Sequence, residues 1–96
     1  MNDPLTDEQR AELASRHPAW EPAGAGVGRT FRFADFAEAM GFVTRVALVA
    51  EAADHHPDID IRWNRVTLTL ITHSAGALTE LDRRLIEAID GLGVTS

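Results

Sequence analysis

Between Asp58 and Ile71 the apolar residues fall at every second position, directly after a long stretch, Asp35 to Ala53, in which they recur every third or fourth. An extended chain turns successive side chains to opposite faces, whereas a helix brings positions three and four apart onto one face. The switch of period therefore predicts a helix followed by strands. Ile59, Ile61 and Trp63 alternate with Asp58, Asp60 and Arg62, and Val66, Leu68 and Leu70 alternate with Thr67, Thr69 and Ile71. A two-residue turn at Asn64-Arg65 pairs Trp63 with Val66, Ile61 with Leu68 and Ile59 with Leu70, with every apolar residue on one face. Carried further, that register sets His56 opposite His73 on the other face, about 5 Å apart between Cα atoms.

In the preceding helix Asp35 is a cap, with Glu38 three residues on. One apolar line runs through Phe36, Met40, Val43, Ala47 and Ala50 and a second through Phe42, Val46 and Val49. So little polar surface remains that the helix is expected to pack on two sides, against the sheet and against another helix or subunit. It should run to about Ala53, which puts Glu51 and His55 four residues apart and able to meet. Upstream, Thr6-Asp-Glu-Gln9 opens a short helix that His17-Pro18 ends near Arg16. Trp20 to Pro22 and Val27 to Phe33 predict a first hairpin about the turn Ala23 to Gly26. Downstream, Thr79 caps a helix bearing Leu81, Leu85, Ala88 and Ile89, closed by Gly91. The element order is α-β-β-α-β-β-α, in one domain spanning 1–96.

Composition narrows the function. Nine basic residues against fifteen acidic ones give a formal charge of −6, and no basic cluster exceeds the pair Arg83-Arg84. Direct binding of nucleic acid or an anionic membrane is not expected. With no cysteine, thiolate nucleophiles, disulfides and thiolate-bound metals are excluded, and a cytoplasmic location suits the chain. The acidic start shows no signal segment, and no run approaches the roughly 18 apolar residues that span a bilayer.

Three of the four histidines stand in Glu51-Ala-Ala-Asp-His55-His56-Pro57 and at His73, with Trp63 and Asp82 close by in sequence. Imidazole moves protons near neutral pH, its ordinary pKa being about 6.5, so the grouping points to proton chemistry. His17, beside Pro18, reads as an ordinary surface residue. Taken alone, His55-His56 before a proline could be a polar turn, and His73 an edge residue. Trp20 and Trp63 are more readily core than ligand platforms, and Glu51 and Asp82 can be solvated or capping charges.

The spacing Glu51-x3-His55-His56-Pro57-x5-Trp63-x9-His73-x8-Asp82 resembles the signature of the pterin-4a-carbinolamine dehydratases, also known as dimerization cofactors of a homeodomain transcription factor. The resemblance runs from about Leu5 to Gly91 and takes in Trp20, Phe31-Arg-Phe33-x-Asp35-Phe36, Thr44-Arg45-Val46-Ala47, Asn64-Arg65-Val66 and Gly76-x-Leu78-Thr79. It implies an α+β fold, a four-stranded antiparallel sheet with three helices packed on one face, assembled as homodimers or homotetramers. It also implies dehydration of 4a-hydroxytetrahydrobiopterin to quinonoid dihydrobiopterin, with no metal or organic cofactor, in support of tetrahydrobiopterin recycling beside an aromatic amino-acid hydroxylase. Carried over residue by residue, His55, His56 and His73 are the catalytic set. Glu51 and Asp82 orient them, and Trp63 and Trp20 offer surface to the pterin ring. Ser74, where relatives often have an acidic residue, and Trp63, where tyrosine is common, bear on substrate orientation.

Two other classes remain open. A non-catalytic interaction module would use the apolar central helix, and a dehydratase could act on another pterin. A metal-dependent hydrolase is disfavoured because adjacent His55 and His56 suit one ion poorly and no His-x3-His spacing occurs.

Overall fold

The computed structural model describes residues 2–94. Helix α1 spans Asp7–Arg16, strands β1 and β2 span Glu21–Ala23 and Gly26–Arg32, helix α2 spans Phe36–Ala53, strands β3 and β4 span Asp58–Arg62 and Arg65–Leu70, and helix α3 spans Glu80–Asp90. This is the order expected from the periodicity. The strands form one antiparallel sheet in the order β1-β2-β4-β3. The helix starts obey the capping chemistry. Thr6 and Gln9 exchange side-chain and backbone hydrogen bonds at α1, and the Glu38 amide donates to Asp35 Oδ1 at 2.8 Å at α2.

Phe31 on β2 and Val66, Leu68 and Leu70 on β4 turn to one face of the sheet, where Phe42 and Val46 of α2 and Leu85, Ile86 and Ile89 of α3 close over them. Each such side chain withdrawn from water contributes about 1.5–3 kcal/mol. Among the described residues the opposite face, with Thr30, Arg32, Arg65 and Asp60, carries no helix and is polar. β2 and β4 run close together at one point, where a Cβ on Gly26 would lie 2.0 Å from the Leu70 carbonyl oxygen.

Two expectations need correction. The β3-β4 register is displaced by two residues: Ile61 faces Val66 and Ile59 faces Leu68, and the turn is Trp63-Asn64. A slip of two keeps every side chain on its own face, so the hydrophobic pattern cannot tell the two registers apart. Asn64 is held by β2's continuation: it accepts the Phe33 amide on its backbone oxygen, and its side-chain amide donates to the Phe33 carbonyl, both at 2.9 Å. Trp63 consequently sits in the turn with φ +53° and 67% exposed, instead of on the apolar face, and the ladder does not oppose His56 to His73.

As expected, helix α2 packs against the sheet and against another helix: Ala39, Phe42, Val46 and Ala50 are buried against β4 and α3, while Phe36, Met40 and Leu48 remain exposed. His17 is not an ordinary surface residue. Its Nδ1 lies 2.6 Å from Asp90 Oδ2, while Trp20 Nε1 and an Arg29 guanidinium N–H donate to Asp90 Oδ1, each at 3.0 Å. This cluster ties the end of α1 to β2 and to the end of α3.

Candidate active site

The site is built where α2 ends. Asp54 takes the left-handed conformation (φ 51°, ψ 40°), which an Asp tolerates better than most residues, and its amide donates back to Ala50 and Glu51. The helix therefore stops before His55. An i, i+4 pair between Glu51 and His55 needs the helix to continue through both, so that expected contact is absent. Beyond the cap the chain is no longer helical, and adjacent side chains diverge. His55 turns inward and His56 outward.

The inward histidine meets α3. His55 Nε2 lies 2.6 Å from Asp82 Oδ1, and the Asp82 side chain has no exposed surface. The same carboxylate accepts the Thr72 hydroxyl at 2.7 Å and the Thr79 amide at 2.9 Å on Oδ2. Thr79 is the cap of α3 and forms a reciprocal capping box with Asp82, and its hydroxyl lies 2.7 Å from that of Thr72. A buried carboxylate without donors would be costly; this one has three, and it stands in the first turn of a helix, where negative charge is favoured. With Asp82 as acceptor, Nε2 is the donating nitrogen of His55, and in the neutral ring Nδ1 keeps its lone pair. Among the described residues no buried side-chain nitrogen or oxygen lacks a partner. Since Nδ1 has none, it reaches solvent, although the His55 side chain is only 12% exposed.

The outward histidine is more open. His56 Nε2 lies 2.6 Å from Glu51 Oε1, with both side chains more than half exposed. His73 is also exposed, in a turn closed by the bridge between Thr72 and Ala77. Its neighbour Thr72 is the residue bonded to Asp82, so one carboxylate steadies both the His55 ring and the root of the His73 turn. Of the expected set, then, Glu51 with His56 and Asp82 with His55 are in contact, and His73 is tethered through Thr72.

A family model described as Pterin 4 alpha carbinolamine dehydratase matches residues 3–92. The chain belongs to this family. A relative from Chloroflexus aurantiacus, provisionally named a pterin-4-alpha-carbinolamine dehydratase, is 54% identical over 86 residues, covering 90% of this chain and 92% of its own. One from Acidobacterium capsulatum, under the same provisional name, is 50% identical over 88 residues, covering 92% and 96%. Among solved structures, a transcriptional coactivator/pterin dehydratase from Brucella melitensis superposes with a TM-score of 0.87 at 35% identity, over 94% of this chain and 98% of that one. A pterin dehydratase-like protein described as a RuBisCO assembly factor in the alpha-carboxysome shares the fold, with a TM-score of 0.63 at 23% identity over 80% and 89% of the two chains.

Two of the residues carried over from the pterin-4a-carbinolamine dehydratases do not join the histidines. Trp63 follows the far end of β3 from His55 and His56, and the four steps from Asp58 to Arg62 alone span about 13 Å of strand. Trp20 is 4% exposed, packs edge-on to Phe31, and lines a cavity of about 490 Å³ between α1 and the β1-β2 hairpin that includes none of His55, His56 and His73. Conversely, Thr72 and Thr79 escaped sequence reasoning as site residues. Thr79 was visible only as a cap, and nothing in the local pattern marked Thr72, whose hydroxyl matters because of where α3 places Asp82. Among the described residues no group of three or more His, Cys, Asp or Glu side chains is arranged to hold a metal ion, and no helix is long and apolar enough to cross a membrane.

Proposed function

We propose that this protein dehydrates a 4a-hydroxytetrahydropterin to the quinonoid dihydropterin and water by histidine acid-base catalysis. The observation that carries the reading is His55: a ring oriented by a fully buried carboxylate, with a bare Nδ1 open to solvent beside a second, exposed histidine. In the reaction N5 loses its proton, the C4a–O bond breaks, C4a and N5 form a double bond, and the departing hydroxyl takes a proton to leave as water. His55 Nδ1 is suited to receive the N5 proton, and His56, standing on Glu51, to protonate the leaving oxygen. His73 orients that hydroxyl. Each proton transfer would contribute about 10²–10⁴-fold. No metal or organic cofactor enters these steps.

The substrate in this reading is the 4a-hydroxytetrahydrobiopterin released by an aromatic amino-acid hydroxylase, which places the protein in tetrahydrobiopterin recycling. Copies of the chain pair through the exposed apolar line of α2, where Phe36 is 52% and Leu48 67% exposed, giving a homodimer or homotetramer. The test is a stopped-flow assay of 4a-hydroxytetrahydropterin decay with wild type, His55→Ala, His56→Ala and His73→Ala. Strong acceleration lost in the variants supports the dehydratase. A correctly folded wild type that gives no acceleration rejects it, and a stable heteromeric complex unaffected by His55→Ala would favour an interaction module instead.

A further inference from the structure

The polar face of the sheet holds a feature unrelated to the histidines. In the β2-β4-β3 ladder Arg32 lies opposite Arg65, and Arg65 opposite Arg62. Opposed residues share a face with Cβ atoms about 4.5–5.5 Å apart, and like charges so placed are destabilising. Three of the nine basic residues of a chain with net charge −6 are thus lined up in one row across three strands. Arg62 is partly offset by Asp60, at 3.1 Å. Among the described residues the Arg32 and Arg65 side chains have no hydrogen-bond or acidic partner. In the next row the Thr30 and Thr67 hydroxyls are 2.9 Å apart, with Asp60 opposite Thr67. Thr30, Asp60, Arg62, Arg65 and Thr67 line a shallow depression of about 270 Å³.

We infer that this end of the sheet binds a phosphate-bearing small molecule. Planar guanidinium groups match phosphoryl oxygens two donors at a time, and bonds to an ionised acceptor are the strong ones. Arg65 is the centre of the row, with Arg32 and Arg62 on either side, and the Thr67 hydroxyl can donate from the next row. The anion must be compact. Further along the same face the charge reverses, through Asp60 to the row that holds Glu21 and Asp58, so a long polyanion lying on the sheet would be repelled at its other end. The row lies at the opposite end of β3 from His55 and His56, so the site stands whether or not the dehydratase reading does.

The test is an NMR titration of the untagged full chain with inorganic diphosphate at low ionic strength, repeated on Arg65→Gln, Asp60→Asn and, as a control in α3, Arg84→Gln. Saturable shifts centred on the amides of Arg32, Arg62, Arg65 and Thr67 are expected. Arg65→Gln should weaken binding about tenfold, the equivalent of one good charge-assisted contact. Asp60→Asn should tighten it, a gain that no folding defect can mimic. Arg84→Gln should leave it unchanged. Absence of binding, equal weakening by Arg84→Gln, or no gain in Asp60→Asn overturns the site.

Discussion

Replacing Asp82 by Asn exchanges one carboxylate oxygen for an NH₂ group of nearly the same shape in a fully buried polar position of the site. Asp82 accepts three hydrogen bonds: Thr72 Oγ1 and the Thr79 amide on Oδ2, at 2.7 and 2.9 Å, and His55 Nε2 on Oδ1, at 2.6 Å. An Asn whose oxygen stays with Thr72 and Thr79 retains the capping box and presents its NH₂ to His55. That ring must then accept at Nε2, which moves its proton to Nδ1, the atom proposed to receive the proton from N5. The structural loss is small, a charge-assisted bond replaced by a neutral one, about 1 kcal/mol. Against a total stability of about 5–15 kcal/mol the protein stays folded. The catalytic loss is large, because a base with its lone pair on the wrong nitrogen forfeits most of the ~10²–10⁴-fold that general-base catalysis supplies. Stopped-flow decay of the 4a-hydroxytetrahydropterin measures the rate, and ¹⁵N NMR of the His55 ring reads the tautomer. A folded Asp82→Asn protein with the tautomer reversed and the rate unchanged would refute the role given to His55 Nδ1.

Other consequences follow from separate parts of the structure. Gly26→Ala places a methyl group 2.0 Å from the Leu70 carbonyl oxygen, where β2 and β4 cannot separate without losing ladder bonds, and should lower stability by about 3 kcal/mol or more in urea titrations. Leu48→Glu puts a charge on the exposed apolar line of α2 and should shift the sedimentation profile towards monomer; an unchanged profile would mean that copies do not pair there. The Arg83 guanidinium donates to Glu80 and holds its carboxyl below the usual carboxylate range, with partial burial opposing the shift. The stability this contributes is present above the unfolded carboxylate value of about 4.3 and is lost as pH falls through the lower folded value. Arg83→Ala should therefore flatten the acid limb of a thermal-stability profile while leaving its slope above neutral pH alone.

Much of this protein was readable from local chemistry. Thr6, Asp35 and Thr79 announce the three helix starts, the periods of 3.6 and 2 separate helices from strands, and alternation assigns Val66, Leu68 and Leu70 to the buried face. These signals act over a few residues, through capping bonds and the geometry of one turn or one pleat, so the sequence by itself determined the order of elements and which faces are buried. It also grouped the histidines with Glu51 and Asp82, through a spacing shared with the family.

What only the tertiary structure decided was which of these groups meet. The β3-β4 register depends on Asn64 engaging Phe33, just beyond the end of β2, and a slip of two residues leaves no trace in the alternation. Glu51 goes to His56 and Asp82 to His55 because Asp54 ends the helix in a left-handed turn that sends adjacent side chains in opposite directions. The arginine row is likewise invisible along the chain, since Arg32, Arg62 and Arg65 come from three strands and stand in line only once the ladder forms. Local periodicity constrains faces. Contacts between residues far apart in the chain are selected by the simultaneous packing of all the elements, and in this fold that packing sets which ring nitrogen of His55 faces Asp82.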